Sequence, residues 1–257
     1  MKQKDYYDAP YILELSTKIS AVSPRFDPKA FAHELIGRID DKELFARIDL
    51  IVDAMEKNMD GDYSKNIQAF YQMLGPELVK PEGMFRLGWW LWPIGRYVER
   101  NGNTHWKLSL AFLKELTKRF TGEYAVRPLL KEHSKEVMDE LVLWAADENV
   151  HVRRLASEGV RIRLPWAQKM FVALEEFERY TAILTHLKDD PEKFVQKSVG
   201  NNLNDLFKEA PEKAEYIIAQ WEKTPASKAR KWIVKHGMRN QSVTKAANID
   251  AYEREVP

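Results

Sequence analysis

The chain has 257 residues, 44% of them hydrophobic, which is enough for one large domain or two small ones with a sizeable core. Its 40 lysines and arginines nearly balance its 39 aspartates and glutamates, so the net charge does not indicate a nucleic-acid-binding protein. The absence of cysteine excludes disulfides and thiol chemistry, and with no secretory signal or membrane-spanning apolar run it leads us to expect a cytoplasmic protein.

Apolar residues recur at helical spacing through the first hundred residues, beginning with Tyr11, Ile12, Leu15 and Ile19. Asp27 followed by Pro28 predicts an N-cap and a first helical position, with a helix from there to about residue 39. The same spacing predicts further helices over residues 41–58 and 63–74, and residues 84–99 are rich in aromatic side chains.

The remainder of the chain continues the helical pattern, with helices predicted over residues 104–120, 122–133 and 135–146. Asn149 is a suitable N-cap for a helix that begins near Val150 and that Pro165 stops. No segment shows a convincing alternation of period two, so the sequence predicts an all-α protein with loops of a few residues.

Three segments resemble one another within the chain. Val152 aligns with Val195 at an offset of 43 residues, and Ser198 aligns with Ile233 at an offset of 35. Helical periods of this length indicate HEAT-like repeats, which stack into a right-handed superhelical solenoid with a concave groove. We expect one such domain over residues 1–257, with N-terminal helices in 1–100, the repeats that carry the site in 101–245 and a tail in 246–257. In that register the groove is lined by Glu123, Glu158, Asn201 and His236.

Cations accompany the repeats at Arg153, Arg154, Lys193 and Lys197, and a basic cluster follows in residues 223–239. Stacked repeats would arrange them as a stripe suited to a phosphate backbone, or they simply solvate outer helices. Asparagine and aspartate are unfavourable inside helices, so their density between residues 201 and 205 indicates either a polar active site or a helix that ends before Leu206.

Four stretches resemble the signatures of the AlkC-type DNA alkylation repair glycosylases, in the AlkC/AlkD superfamily. They are Thr121–Pro128 (TGEYAVRP), Val152–Trp166 (VRRLASEGVRIRLPW), Ser198–Asp205 (SVGNNLND) and Lys231–His236 (KWIVKH). The N-terminal part, including Arg25-Phe26-Asp27, is similar more loosely. The resemblance extends over nearly the whole chain. This sequence departs from it at Ile162, Gly200 and the pair Leu129-Leu130, none of which removes a polar site residue.

The resemblance implies a HEAT-like-repeat glycosylase that removes 3-methyladenine, and other cationic bases such as 3-methylcytosine, from double-stranded DNA. It implies no metal and no organic cofactor, and we expect a monomer in the bacterial cytoplasm, at the nucleoid. Some members carry an additional C-terminal β-sandwich domain, and we expect none in this sequence, which continues only briefly after Arg239.

The matching positions give the expected site. Glu123, Glu158 and Asp205 are the expected catalytic carboxylates, with Asp205 and Glu158 nearest the sugar and Glu123 beside the base. Trp166 is expected either to contact the lesion or to anchor the core after Pro165, and some of the arginines either clamp phosphates or brace Glu158. The expected nucleic-acid-binding residues are Arg154, Arg161, Arg163, Trp166, Lys197, Asn201, Asn204, His236 and Arg239.

The main alternative is a non-catalytic HEAT-like scaffold that binds DNA or protein, which would not need three carboxylates around one groove. A metal-dependent hydrolase is disfavoured because the six histidines show no ligand spacing such as His-x-x-x-His.

Overall fold

The computed structural model describes residues 2–81 and 87–241. Helices joined by loops make up these residues, with no strand among them, which confirms the predicted all-α class. The chain divides into two compact units, Met1–His133 and Ser134–Pro257, so the expected subdivision near residue 100 falls inside the first unit. The superhelical arrangement of repeats stays a prediction. Within the described ranges, no helix has the length and apolar character needed to cross a bilayer.

The first unit contains seven described α-helices and three 3₁₀ turns, the turns at Gln3–Tyr6, Trp89–Leu91 and Asn103–His105. Its core includes the fully buried side chains of Ile12, Phe31, Ile51 and Phe70. The α-helices are α1 (Ala9–Val22), α2 (Pro28–Leu35), α3 (Leu44–Asn58), α4 (Tyr63–Met73), α5 (Trp92–Asn101), α6 (Trp106–Thr117) and α7 (Val126–Glu132).

The second unit carries most of the predicted site. Its described helices are α8 (Ser134–Trp144), α9 (Val150–Glu158), α10 (Val172–Glu175), α11 (Phe177–Leu187), α12 (Lys193–Glu209), α13 (Pro211–Glu222) and α14 (Lys228–Gly237). Helix α12 is central, because α9 packs on one side of it and α14 on the other. Helices α8, α11 and α13 form a second layer, joined by the Trp221–Thr185 hydrogen bond between α13 and α11 and by the Arg179–Asp139 ion pair between α11 and α8.

The predicted helix starts rest on capping residues that the structure confirms. The Asp27 carboxylate accepts hydrogen bonds from the backbone N–H groups of Lys29 and Ala30 at 2.9 and 3.0 Å. The Asn149 side chain accepts one from the N–H of His151 at 2.9 Å. Both caps satisfy donors that a helix leaves unpaired in its first turn.

Several helix boundaries differ from the prediction. Helix α2 ends at Leu35 instead of residue 39, and the helix predicted from residue 122 begins at Val126, after the loop that carries Glu123. In the aromatic-rich segment over residues 84–99, the structure has a helix that begins at Trp92 and continues to Asn101, and residues 84–86 lie outside the described part. The predicted C-terminal tail also lies outside it.

The largest correction concerns the helix that Pro165 was predicted to stop. It ends at Glu158, seven residues earlier, with Gly159 as its C-cap. Val160, Ile162 and Leu164 are all buried, at every second position, and a helix cannot place such a set on one face. The sequence alternates there as well, and this short period-two segment is a signal that the sequence analysis missed.

Helix α12 contains the asparagine-rich segment, for which the sequence left open an early helix end. It runs without interruption to Glu209, so the interpretation that it ends before Leu206 is wrong. Its asparagines therefore lie inside a helix, and their hydrogen bonds to neighbouring segments offset the low helix propensity of asparagine.

Candidate functional site

A polar stripe on α12 faces α9 and the loop that follows it. Its members, at spacings of four, three and four residues, are Ser198, Asn202, Asp205 and Glu209. Residues at those spacings share one face of a helix. Each of the four makes a hydrogen bond across to α9 or its loop, so the stripe fixes the position of that segment.

The Glu158 carboxylate, at the end of α9, is buried with both oxygens engaged. Its Oε2 accepts a hydrogen bond from Ser198 Oγ at 2.6 Å, and its Oε1 accepts one from Arg161 Nη1 at 2.9 Å. Arg154 Nη2 lies 3.4 Å from the same Oε1. Ser157 Oγ lies 2.7 Å from Ser198 Oγ, which places a second hydroxyl behind the first.

The charge state of Glu158 follows from these neighbours. Burial alone would raise the pKa of its carboxyl, but the charges of Arg154 and Arg161 and the hydrogen bond from Ser198 outweigh burial, and the pKa is lowered. Glu158 is therefore a fixed negative charge at neutral pH, with its cations close beside it.

Asp205 is the second buried carboxylate of this site, and Arg161 joins it to Glu158. Arg161 Nε donates to Asp205 Oδ2 at 3.0 Å, and the backbone N–H of Arg163 donates to the same oxygen at 3.3 Å. The Arg161 side chain is itself almost fully buried, and both carboxylates raise its pKa against the opposing effect of burial. Arg161 therefore braces Glu158, the second of the two roles expected for these arginines, and its predicted contact with DNA stays a prediction.

Glu123 belongs to the first unit, in the loop between α6 and α7. Its side chain is buried, and its Oε2 accepts a hydrogen bond from Thr121 Oγ1 at 2.9 Å. The next residue, Tyr124, stacks in parallel on Trp92 with ring centroids 5.9 Å apart and meets the edge of Phe45. These contacts hold the loop that carries the third predicted carboxylate.

The opposite side of α12 meets α14 through its other asparagines. Asn201 Oδ1 lies 3.1 Å from His236 Nε2 and accepts a hydrogen bond from Arg239 Nη2 at 3.2 Å. Asn204 Nδ2 donates to the carbonyl oxygen of Gly237 at 2.9 Å. The predicted register of Asn201 with His236 is therefore observed as a contact, while Asn204 is buried in the helix packing and unsuited to touching DNA.

A basic and aromatic patch surrounds His236 on this side. The His236 ring stacks on Trp232 at 4.7 Å, and Lys193 Nζ lies 3.1 Å from the centre of the same indole. The pKa of His236 is lowered, first by burial and then by Arg239, Lys197 and Lys193. These three exposed cations beside the ring make the surface positive, which suits a phosphate.

Two of the predicted phosphate-stripe cations are committed to internal contacts instead. Arg153 donates to Asp190 at 2.7 Å and to the carbonyl oxygens of Asp147 and Glu148, at the start of α9. Arg230 is buried and bonded to Asp189 and to the carbonyl oxygen of Trp221. Both arginines hold helix ends in place, so their residue type gave a misleading signal.

Trp166 is 65% exposed and has a φ of +64°, so the alternative that it anchors the core is wrong. Arg163 is partly exposed and pairs with Glu209 at 2.8 Å, whereas Arg154 lies against Phe194 and Glu158.

Sequence reasoning overlooked Ser157, Ser198 and Glu209. The signal for Ser198 and Glu209 was the helical stripe on α12, which spacing alone could have shown, whereas Ser157 lies on α9. Among the described residues, no cluster of three or more histidines and carboxylates has the geometry of a metal site.

Residues 115–244 match the family model of the DNA alkylation repair enzymes. Protein YhaZ of Bacillus subtilis strain 168, which is uncharacterized, is 39% identical over 143 residues, 56% of this chain and 40% of that protein. The Pseudomonas fluorescens alkylpurine DNA glycosylase AlkC, solved bound to DNA containing an abasic site analog, superposes with a TM-score of 0.80 at 28% identity. That match covers 94% of this chain and 65% of the other, so the chain spans less than two thirds of either relative. The chain belongs to the DNA alkylation repair enzyme family.

Proposed function

We propose that this protein is a monofunctional DNA glycosylase, which hydrolyses the N-glycosidic bond of cationic alkylated bases in duplex DNA. The principal substrate is 3-methyladenine, with 3-methylcytosine as a second lesion, and the protein acts as a monomer on the DNA of the bacterial nucleoid. The observation that carries the proposal is the pair of buried carboxylates, Glu158 and Asp205, joined by one arginine in a chain of this family.

The chemistry requires little acid catalysis. A 3-methylated adenine in DNA carries a positive charge, so it leaves readily, and the bond between C1′ and the base nitrogen breaks with its electrons going to the base. The sugar then develops oxocarbenium character, which a fixed carboxylate stabilises. Water adds to C1′, and its proton passes to a carboxylate that orients it.

Both carboxylates of the second unit have both oxygens engaged, those of Asp205 by Arg161 at 3.0 and 3.4 Å. The pKa of Glu158 is lowered, so we assign it the role of a fixed charge that is poorly suited to accept a proton. We assign Asp205 the position nearest the sugar, with Glu123 beside the base. Fixed negative charge favours a cationic base over a neutral one, which gives selectivity without tight readout of the base.

DNA contacts are assigned to side chains that are exposed in the second unit. Lys197, Arg239 and Lys193 surround His236, and Trp166 projects from the loop after α9. An aromatic ring attracts a cation, so Trp166 is suited to contact the alkylated base or the adjoining deoxyribose.

The experiment is release of bases from a duplex treated with a methylating agent, with the released bases identified by chromatography. The proposal predicts free 3-methyladenine, released at a rate well above that of the same methylated duplex without protein, with or without 3-methylcytosine. If folded wild-type protein releases no methylated base, the assignment of glycosylase activity is wrong, and a scaffold that binds DNA or protein is left.

A further inference from the structure

The loop between α9 and α10 holds Trp166 in a backbone conformation that bulky residues rarely adopt. Its φ of +64° lies in the left-handed region, where a side chain with a β-carbon is strained. The indole is nevertheless 65% exposed, so burial of the ring does not compensate for that strain. Strain of this kind persists where the surrounding structure enforces it, and it is concentrated at functional sites.

Glu209, in the last turn of α12, joins the two sides of this loop. Its Oε1 accepts a hydrogen bond from Arg163 Nη1 at 2.8 Å and lies 2.7 Å from Lys169 Nζ. Arg163 precedes Trp166 by three residues, and Lys169 follows it by three. One carboxylate therefore holds the loop at symmetric points on either side of the exposed indole.

The loop is also closed internally and tied to the site. The N–H of Ala167 donates to the carbonyl oxygen of Leu164 at 3.2 Å, and that of Met170 donates to Ile162 at 3.1 Å. One helical turn before Glu209, Asp205 accepts a hydrogen bond from the backbone N–H of Arg163. Asp205 and Glu209 therefore hold the same loop from one face of α12.

The charges of Glu209, Arg163 and Lys169 favour lasting contacts between this carboxylate and both cations. The Glu209 side chain is only 13% exposed although both cations are about half exposed. The hydrogen bond from Lys169 lowers the pKa of Glu209 against the opposing effect of burial, and the charges of Lys169 and Arg163 lower it further. Glu209 is therefore ionised at neutral pH. Two cations share one charge, which leaves this loop net positive and able to approach DNA.

We propose that Glu209 is a positioning residue, which clamps Arg163 and Lys169 so that Trp166 is held toward the DNA lesion. The assignment rests on the glycosylase function proposed above. It concerns a residue with no part in bond cleavage, and it accounts for the Trp166 conformation through three contacts of α12. The clamp acts on the rate of base removal by the bound complex and not on the affinity for DNA.

The test compares Glu209→Gln with a matched control, Asp139→Asn, which removes an exposed carboxylate that pairs with Arg179 away from the site. In single-turnover base release from methylated duplex, Glu209→Gln should be slower by about tenfold to a hundredfold, because a small misplacement of a positioned group has effects of that size. Its dissociation constant for an undamaged duplex should stay equal or become smaller, since a negative charge is lost. The control should match wild type in both measurements.

A second readout follows the indole without any reaction. In protein labelled with 5-fluorotryptophan, the Trp166 fluorine resonance is assigned by its absence from Trp166→Phe. It should shift or broaden in Glu209→Gln and stay in place in Asp139→Asn. Glu209→Asp keeps the charge on a shorter side chain, so its rate should lie between those of wild type and Glu209→Gln. All variants are compared at a temperature below their thermal unfolding transitions.

Three outcomes would overturn the clamp: an unchanged rate in Glu209→Gln, a slower rate matched by weaker binding of undamaged DNA, or an unchanged Trp166 resonance. Failure of wild type to release any base would instead count against the glycosylase. The fluorine comparison would still decide whether Glu209 fixes the loop.

Discussion

Arg161 lies between two buried carboxylates, and its planar guanidinium reaches both because its donors point in different directions. A lysine keeps the charge but presents a single point, so it cannot hold Glu158 and Asp205 together. We predict that Arg161→Lys lowers base release by at least about tenfold and the free energy of unfolding by about 1–3 kcal/mol. The measurements are single-turnover release and urea unfolding.

Arg179→Lys is the matched control, because Arg179 also bridges two carboxylates, Asp139 and Glu176, with a more exposed side chain. Its effect on stability should stay within about 1 kcal/mol, as for exposed ion pairs, with no effect on base release. Equal losses in the two variants would contradict the bridging role of Arg161.

Glu158 makes stability depend on pH with a definite sign. Its folded pKa lies below that of an unfolded glutamate, about 4.3, so ionised Glu158 stabilises the fold above that pH. The contribution disappears as the pH falls through the folded pKa. We predict that the difference in free energy of unfolding between wild type and Glu158→Gln is constant from pH 8 to about 5.5 and shrinks below about 4.3. A difference that grows on acidification would refute this.

The packing of α12 against α14 depends on two glycines. A β-carbon at Gly237 would lie 2.6 Å from Leu203 Cβ, whereas one at Gly200 would lie 2.8 Å from the His236 ring. The Leu203 atom is fixed next to the backbone, so Gly237→Ala should lower the free energy of unfolding by about 1–3 kcal/mol. Gly200→Ala should cost less, because the ring can move and alanine favours the helix by about 1 kcal/mol. Urea unfolding that reverses this order would contradict the packing account.

Sequence patterns predicted the helices but not the details of their ends. The capping residues Asp27 and Asn149 identified helix starts, because a cap is a local interaction. The end of α9 at Glu158 depends on burial of Val160 and Ile162 against other segments, which propensity does not describe. The asparagines of α12 indicated compensating contacts, because asparagine is unfavourable inside a helix. Only the packing revealed that Asn202 faces α9 while Asn201 faces α14.

The site was predictable to the extent that residues matched signatures. The signatures selected Glu158 and Asp205, and the structure joins them through Arg161. Charge counts did not distinguish cations that are exposed, such as Lys197, from those that support the fold, such as Arg153 and Arg230, because their carboxylate partners lie some forty residues away in sequence.

For the whole molecule, a balanced net charge coexists with local patches of one sign. Lys197 is exposed beside His236 and Arg239, where the structure accumulates positive charge. We predict that Lys197→Ala weakens binding to undamaged duplex and reduces the slope of log affinity against log salt by about 0.9, the value of one phosphate contact. Lys213→Ala, on α13 over Phe177, is the control and should leave the slope unchanged. Equal salt-dependence slopes in wild type and Lys197→Ala would show that Lys197 does not contact a DNA phosphate.

We propose above that the buried carboxylates Glu158 and Asp205 are required to remove a cationic base from DNA. The most direct test of this proposal is single-turnover release of 3-methyladenine from a methylated duplex by wild type, Asp205→Asn and Glu158→Gln, with undamaged-duplex affinity measured in parallel. The account predicts release by wild type and a loss of at least about a hundredfold in both variants, with affinity retained or increased. Release by Asp205→Asn at the wild-type rate would contradict it.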